Sequence, residues 1–103
     1  MQVKLLMTWD IKPGLDQEYF QFVMREFVPS VGRLGVRLTQ AWYTVYGDSS
    51  QIPQIMVEGI SDDYDKLKQT LDSPEWKSMH DKLLEFVTDY KQKVVRLLPR
   101  FQM

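Results

Sequence analysis

The feature that most constrains this chain is the order in which its apolar residues change period. Residues 2–11 set Val3, Leu5, Met7, Trp9 and Ile11 on one parity against Lys4, Leu6, Thr8 and Asp10 on the other. A period of two is a strand. Lys12-Pro13-Gly14 ends it, proline fixing φ and glycine supplying turn freedom. From Asp16 the period lengthens: Tyr19, Phe20, Val23, Phe27, Val31 and Leu34 fall in one broad stripe at about 100° per residue. Asp16 and Glu18 suit the positive end of that helix. Pro29 lacks the N–H that would bond back to Arg25, which predicts a kink or break, and Gly32 and Gly35 offer the closing positions.

Residues 36–46 are rich in β-branched and aromatic types and are predicted to pair, across a Gly47–Ser50 turn, with a second strand from Ile52 to Ile60. Pro53 is placed at that strand's start. Ser61-Asp62-Asp63 reads as a cap for a helix carrying Tyr64, Leu67 and Leu71. Ser73-Pro74-Glu75 is a second start signal, followed by the helical stripe Trp76, Met79, His80, Leu83, Leu84, Val87 and Tyr90. A last strand is expected over Gln92–Leu98, stopped by Pro99, with continuation of the helix to Val95 as the other reading. The order β-α-β-β-α-β predicts an α+β, ferredoxin-like domain over residues 1–103: a four-stranded antiparallel sheet with two helices on one face.

Two helices cover one face only, and an antiparallel sheet open to water is polar at alternate positions. Here Leu6 opposes Leu5 and Met7, Trp42 opposes Ala41, Tyr43 and Val45, and Ile52, Met56 and Ile60 oppose Ile55 and Val57. Burying about 400 Å² of such surface is worth on the order of 10 kcal/mol before association costs. A homodimer through the sheet face is therefore expected, the five residues from Pro99 to Met103 being too few to cover four strands.

The stretch Leu71-Asp72-Ser73-Pro74-Glu75-Trp76-Lys77-Ser78-Met79-His80, an aromatic followed four residues later by a histidine, resembles the second helix of the dimeric α/β-barrel superfamily. That superfamily includes antibiotic-biosynthesis monooxygenases, haem-degrading monooxygenases, stress-responsive barrel proteins and NIPSNAP-like proteins. The resemblance covers the whole chain in element order. It implies two sheets closing into one barrel, with a pocket in each chain between sheet and helices. In the haem-degrading branch an asparagine on the first strand and a tryptophan and a histidine on the second helix form the site; His80 matches the last, while Met7 and Thr70 stand at the other two. Haem degradation is accordingly not expected; haem ligation through His80 alone stays open, and no cofactor is assigned.

The remaining chemistry is sparse. With no cysteine there is no thiol nucleophile, and with a single histidine no clustered-histidine metal site. Asp62, Asp63 and Asp65 lack the glycine and terminal glutamate of a calcium loop, and Gly32-Arg33-Leu34-Gly35 lacks the phosphate-loop pattern. Thirteen Lys and Arg against fourteen Asp and Glu leave a net charge of −1, which argues against nucleic acid. No apolar run approaches the roughly 20 residues of a membrane span, and Met1-Gln2-Val3-Lys4 leads straight into strand pattern, so a cytoplasmic location is expected.

His80 is read either as a pocket acid/base or as a satisfied buried histidine. Glu58, inside an apolar strand, is a candidate base or the partner of Arg37 or of the other subunit. Trp9, Tyr19, Trp42, Tyr43 and Trp76 are the candidate walls of a pocket for a flat apolar or aromatic molecule, with core or dimer interface as their other reading. The functional expectation is a small-molecule-binding barrel protein without strong catalytic equipment. The alternative is a cofactor-independent monooxygenase or isomerase with His80 as acid/base.

Overall fold

The computed structural model describes residues 2–47 and 52–96. Its elements are β1 (Val3–Ile11), α1 (Asp16–Phe22), a π-helical turn (Val23–Phe27), α2 (Val28–Arg33), β2 (Arg37–Tyr43), β3 (Ile55–Ser61), α3 (Tyr64–Asp72), α4 (Pro74–Leu83) and β4 (Val87–Arg96). The strands form one antiparallel sheet in the order β2-β3-β1-β4. This is the ferredoxin-like α+β arrangement.

Pro29 acts at a distance. The helix runs on through it, but the turn before it widens, so that Val28 N–H bonds to the carbonyl of Val23, five residues back. A helix that must lose one donor absorbs the loss in a single π turn instead of a break. Gly35, at φ 92°, then closes the segment. In the second helical layer Ser73 serves two helices: its N–H and Oγ–H both donate to Thr70 O at the end of α3, and its Oγ accepts from Trp76 N–H at the start of α4. Asp63 caps α3 by accepting from Lys66 N–H.

The core lies between the helices and one face of the sheet. Alternate residues of β1 from Val3 to Ile11 are buried, matched by Ile55 and Val57 of β3, and Tyr19, Phe22, Phe27, Val31, Leu67, Trp76 and Leu83 close over them. β2 is different: apart from Leu38 its residues are exposed on both faces, because the helices stop short of it. The apolar character of both its parities thus has two origins. Trp42 belongs to the open face, while Ala41 and Tyr43 stand beside a gap under the helices.

The last part of the chain differs from expectation. The helix of Trp76 and His80 ends at Leu83, not near Tyr90, and the final strand begins at Val87. Between Thr8 and Asp10 the β1–β4 register slips: Thr8 faces Lys91 and Asp10 faces Thr88, leaving Trp9 opposite both Asp89 and Tyr90. Asp89 sits at φ 54°, the left-handed conformation that aspartate tolerates. This bulge brings Val87 and Tyr90 to the same side of the sheet although they are three positions apart. Ile52 lies before β3, so it belongs to neither face of the sheet. The Asp48–Ser50 part of the expected turn, Leu97 and Leu98 of the expected strand, and the tail from Pro99 lie outside the described residues.

The open face carries Leu6, Trp42, Met56 and Ile60, interleaved with Thr8, Gln40 and a charged pair. That pair corrects the expectation for Glu58. Its carboxylate meets Lys4 Nζ at 2.8 Å, not Arg37, and accepts from Thr39 Oγ1 at 2.7 Å. The hydrogen bond from Lys4, then that from Thr39, holds the Glu58 carboxyl below its ordinary value. A carboxylate so engaged makes a poor base.

Candidate functional site: a cleft under the β2 edge

Where the helices stop short of β2, a cleft of about 390 Å³ opens between that strand and the first helical segment. One wall is a helical stripe. Phe20, Met24 and Val28, spaced four apart, are 46%, 66% and 37% exposed and line the gap. They flank the stripe of Tyr19, Val23, Phe27 and Val31 that faces the core. The facing wall is β2, with the side chains of Ala41 and Tyr43 on the helix side and that of Trp42 on the open side of the same strand, and Trp9, Tyr19, Ile55 and Val57 form the floor. None of the lining side chains is charged.

Trp9 organises the floor. It is fully buried on the central strand, stacks on Tyr90 at 5.8 Å and 9°, and meets Tyr19 and Phe27 edge-on. Its Nε1–H donates to Tyr19 Oη at 2.8 Å. Burial pushes the Tyr19 hydroxyl up to about 12, against the smaller lowering effect of the Trp9 hydrogen bond. At the mouth, Tyr43 Oη accepts from Gln54 Nε2 at 2.9 Å. Gln54 is itself fixed at both ends, accepting from Ile11 N–H through Oε1 and donating its own N–H to Asp10 Oδ1, each at 2.8 Å.

Of the residues singled out from the sequence, Trp9, Tyr19, Trp42 and Tyr43 come together around this cleft. Trp76 does not; it is buried beside Phe27, their ring centroids 6.4 Å apart. His80 does not line it either. Its ring packs edge-on against Tyr90 at 4.4 Å, Tyr90 stacks on Trp9, and only Trp9 reaches the cleft. His80 Nε2 is sealed from solvent and has no hydrogen-bond partner among the described residues. Of the three positions compared with the haem-degrading branch, Met7 is fully buried, Thr70 donates its hydroxyl to Leu34 O, and His80 faces a tyrosine ring. Among the described residues no group of three or more His, Asp or Glu gathers to hold a metal ion, and no helix is long and apolar enough to cross a membrane.

Phe20, Met24 and Val28 were not singled out as pocket residues from the sequence. The available signal was the width of the apolar sector, since Tyr19-Phe20 and Phe27-Val28 are adjacent pairs, more than one core-facing stripe requires.

No protein-family model and no curated protein matches the sequence. The fold does have relatives among solved structures. An ethyl tert-butyl ether degradation (EthD) family protein from Bacillus halodurans superposes with a TM-score of 0.73 at 19% identity, covering 95% of this chain and 100% of that one. A NIPSNAP family protein from Agrobacterium tumefaciens gives 0.72 at 18%, covering 97% and 94%. A protein from Bacteroides fragilis, described as dimeric, of unknown function and ferredoxin-like, gives 0.61 at 15%, covering 93% and 96%. In its architecture, over nearly its whole length, the chain stands with the EthD and NIPSNAP proteins of ferredoxin-like fold.

Proposed function

We propose that this protein binds a flat, apolar or aromatic small molecule in the cleft beneath β2, and does so as a homodimer whose open sheet faces pack together. One observation carries the binding reading: Phe20, Met24 and Val28 form an exposed apolar wall set across a gap from Ala41 and Tyr43, over an aromatic floor. Leaving such surface bare in a concave site is unfavourable, and a ligand that fills it removes apolar area from water on both walls. The cleft holds no histidine, acid or amine, so its equipment suits holding a molecule better than turning one over. The dimer reading is supported by Leu6, Trp42, Met56 and Ile60 on the face without helices and by the relative described as dimeric. The Lys4–Glu58 pair meets that interface already neutralised.

The test is equilibrium dialysis against a tricyclic hydrocarbon such as fluorene, with wild type and a Met24→Asp variant. Met24 is two-thirds exposed, so the substitution leaves the core intact while putting a short charged group into the apolar wall. Saturable binding that weakens at least about tenfold in the variant is expected. Absence of saturable binding, or equal binding by both proteins, refutes the reading. Light scattering at micromolar concentration checks the dimer.

A further inference from the structure

Two tyrosines line the cleft, Tyr19 in the floor and Tyr43 at the mouth, and the partner each hydroxyl already holds decides what it offers a ligand. An indole N–H can only donate, so Tyr19 Oη, 2.8 Å from Trp9 Nε1, must be the acceptor and its own hydrogen must point elsewhere. The same logic fixes Tyr43. A carboxamide can present either end, but Ile11 N–H needs an acceptor and takes Gln54 Oε1, which leaves the NH2 group for Tyr43 Oη. Tyr43 therefore also accepts. Among the described residues neither hydroxyl donates to a protein acceptor, although Tyr19 is 2% exposed. Burial keeps the Tyr19 proton in place to about pH 12, so it remains a donor at neutral pH.

We propose, building on the binding reading above, that the cleft selects uncharged flat molecules bearing an acceptor oxygen, of the ketone, quinone or ester kind, over hydrocarbons of the same shape and over carboxylates. Tyr19 and Tyr43 are the two donors. Gln54 is a positioning residue: by donating to Tyr43 it keeps that hydroxyl's hydrogen directed away from the protein. A carbonyl oxygen gives each O–H an acceptor where a C–H edge cannot, and the gain is larger at the buried Tyr19 than at the half-exposed Tyr43. A carboxylate gains the same bonds but is stripped of water among uncharged walls.

Fluorene, 9-fluorenone and fluorene-9-carboxylate share one carbon frame and separate these cases. By equilibrium dialysis with the full chain, fluorenone is expected to bind about 3- to 10-fold tighter than fluorene, the effect of one net hydrogen bond, and the carboxylate weakest. Tyr19→Phe and Tyr43→Phe should each shrink the fluorenone-to-fluorene ratio, which cancels any effect of the substitution on binding of the shared carbon frame. Tyr19→Phe leaves Trp9 Nε1 without an acceptor; Tyr43, half exposed at the mouth, supplies the variant that folds regardless. Equal binding of fluorene and fluorenone overturns the selectivity and leaves the binding reading standing. A ratio unchanged in the variants also overturns it, because the donors then lie elsewhere. If none of the three compounds binds, the binding reading fails and the selectivity with it.

Discussion

The Trp9–Tyr19 pair offers the sharpest test of how the floor of the cleft is held. Trp9→Phe removes the indole N–H and one ring. The void left by that ring, on the order of 40 Å³, destabilises by about 1 kcal/mol at ~24 cal/mol per Å³. The lost hydrogen bond to Tyr19 contributes about another 1 kcal/mol, and the weakened stack on Tyr90 and edge contacts with Tyr19 and Phe27 about as much again. The expected sum is about 3 kcal/mol, a large share of a typical domain's stability. Tyr19→Phe acts through the opposite end of the same bond, leaving the Trp9 donor buried without a partner, at about 1–3 kcal/mol. Since the bond can be broken only once, the double variant should be less destabilised than the sum of the singles by about 1–2 kcal/mol. Urea unfolding followed by far-UV circular dichroism on the four proteins measures this coupling. Additivity within about 0.3 kcal/mol would falsify the claim that Trp9 and Tyr19 act as a unit.

Gly59→Ala should lower thermal stability by about 1–3 kcal/mol, because a Cβ there meets Val36 Cγ1 at 2.6 Å and Leu38 Cδ2 at 3.2 Å in the middle of the sheet; a melt indistinguishable from wild type contradicts that packing. Glu58→Gln tests the open-face pair through pH. The folded protein holds this carboxyl below its unfolded value, so its contribution is present above about pH 4.5 and is lost as the pH falls through the folded value. The variant is expected to be less stable at pH 7, by up to about 1 kcal/mol, and to match wild type in strong acid; a gap that widens on acidification has the wrong sign. Gln54→Glu replaces a donor with an acceptor, so Tyr43 turns its hydrogen toward the new carboxylate, and the preference for fluorenone should fall while fluorene binding holds. Retention of full preference would show that Gln54 does not orient Tyr43.

Much of the architecture was written in periodicity. β1 and β3 alternate as strands buried on one face must, and the caps at Asp63 and Ser73 stand where short polar side chains precede apolar helical spacing. The boundary between α4 and β4 was hidden for a physical reason. Val87, Tyr90 and Val94 are three and four apart, the spacing of a helix face, yet the bulge at Asp89 produces that same spacing in a strand. The cleft was half legible. Aromatics at 9, 19, 42 and 43 marked it, but which large side chains would be covered depended on how far the helices reach across the sheet, a tertiary outcome that leaves Trp76 inside and Met24 outside. Likewise a helical position alone could not show that His80 turns to Tyr90.

The left-handed aspartate acts as a frame-setter for everything after it. Were Asp89 to pair in ordinary extended backbone with no bulge, the hydrogen-bonded edge would be as long but the rest of the ribbon would turn over. Lys91 and Lys93 would then point toward the helices and Val94 toward the open side, while Tyr90 would leave Trp9 and His80 without the ring that joins them. Point substitutions along this edge are absorbed one side chain at a time, whereas a one-residue slip of register is felt by all of them at once.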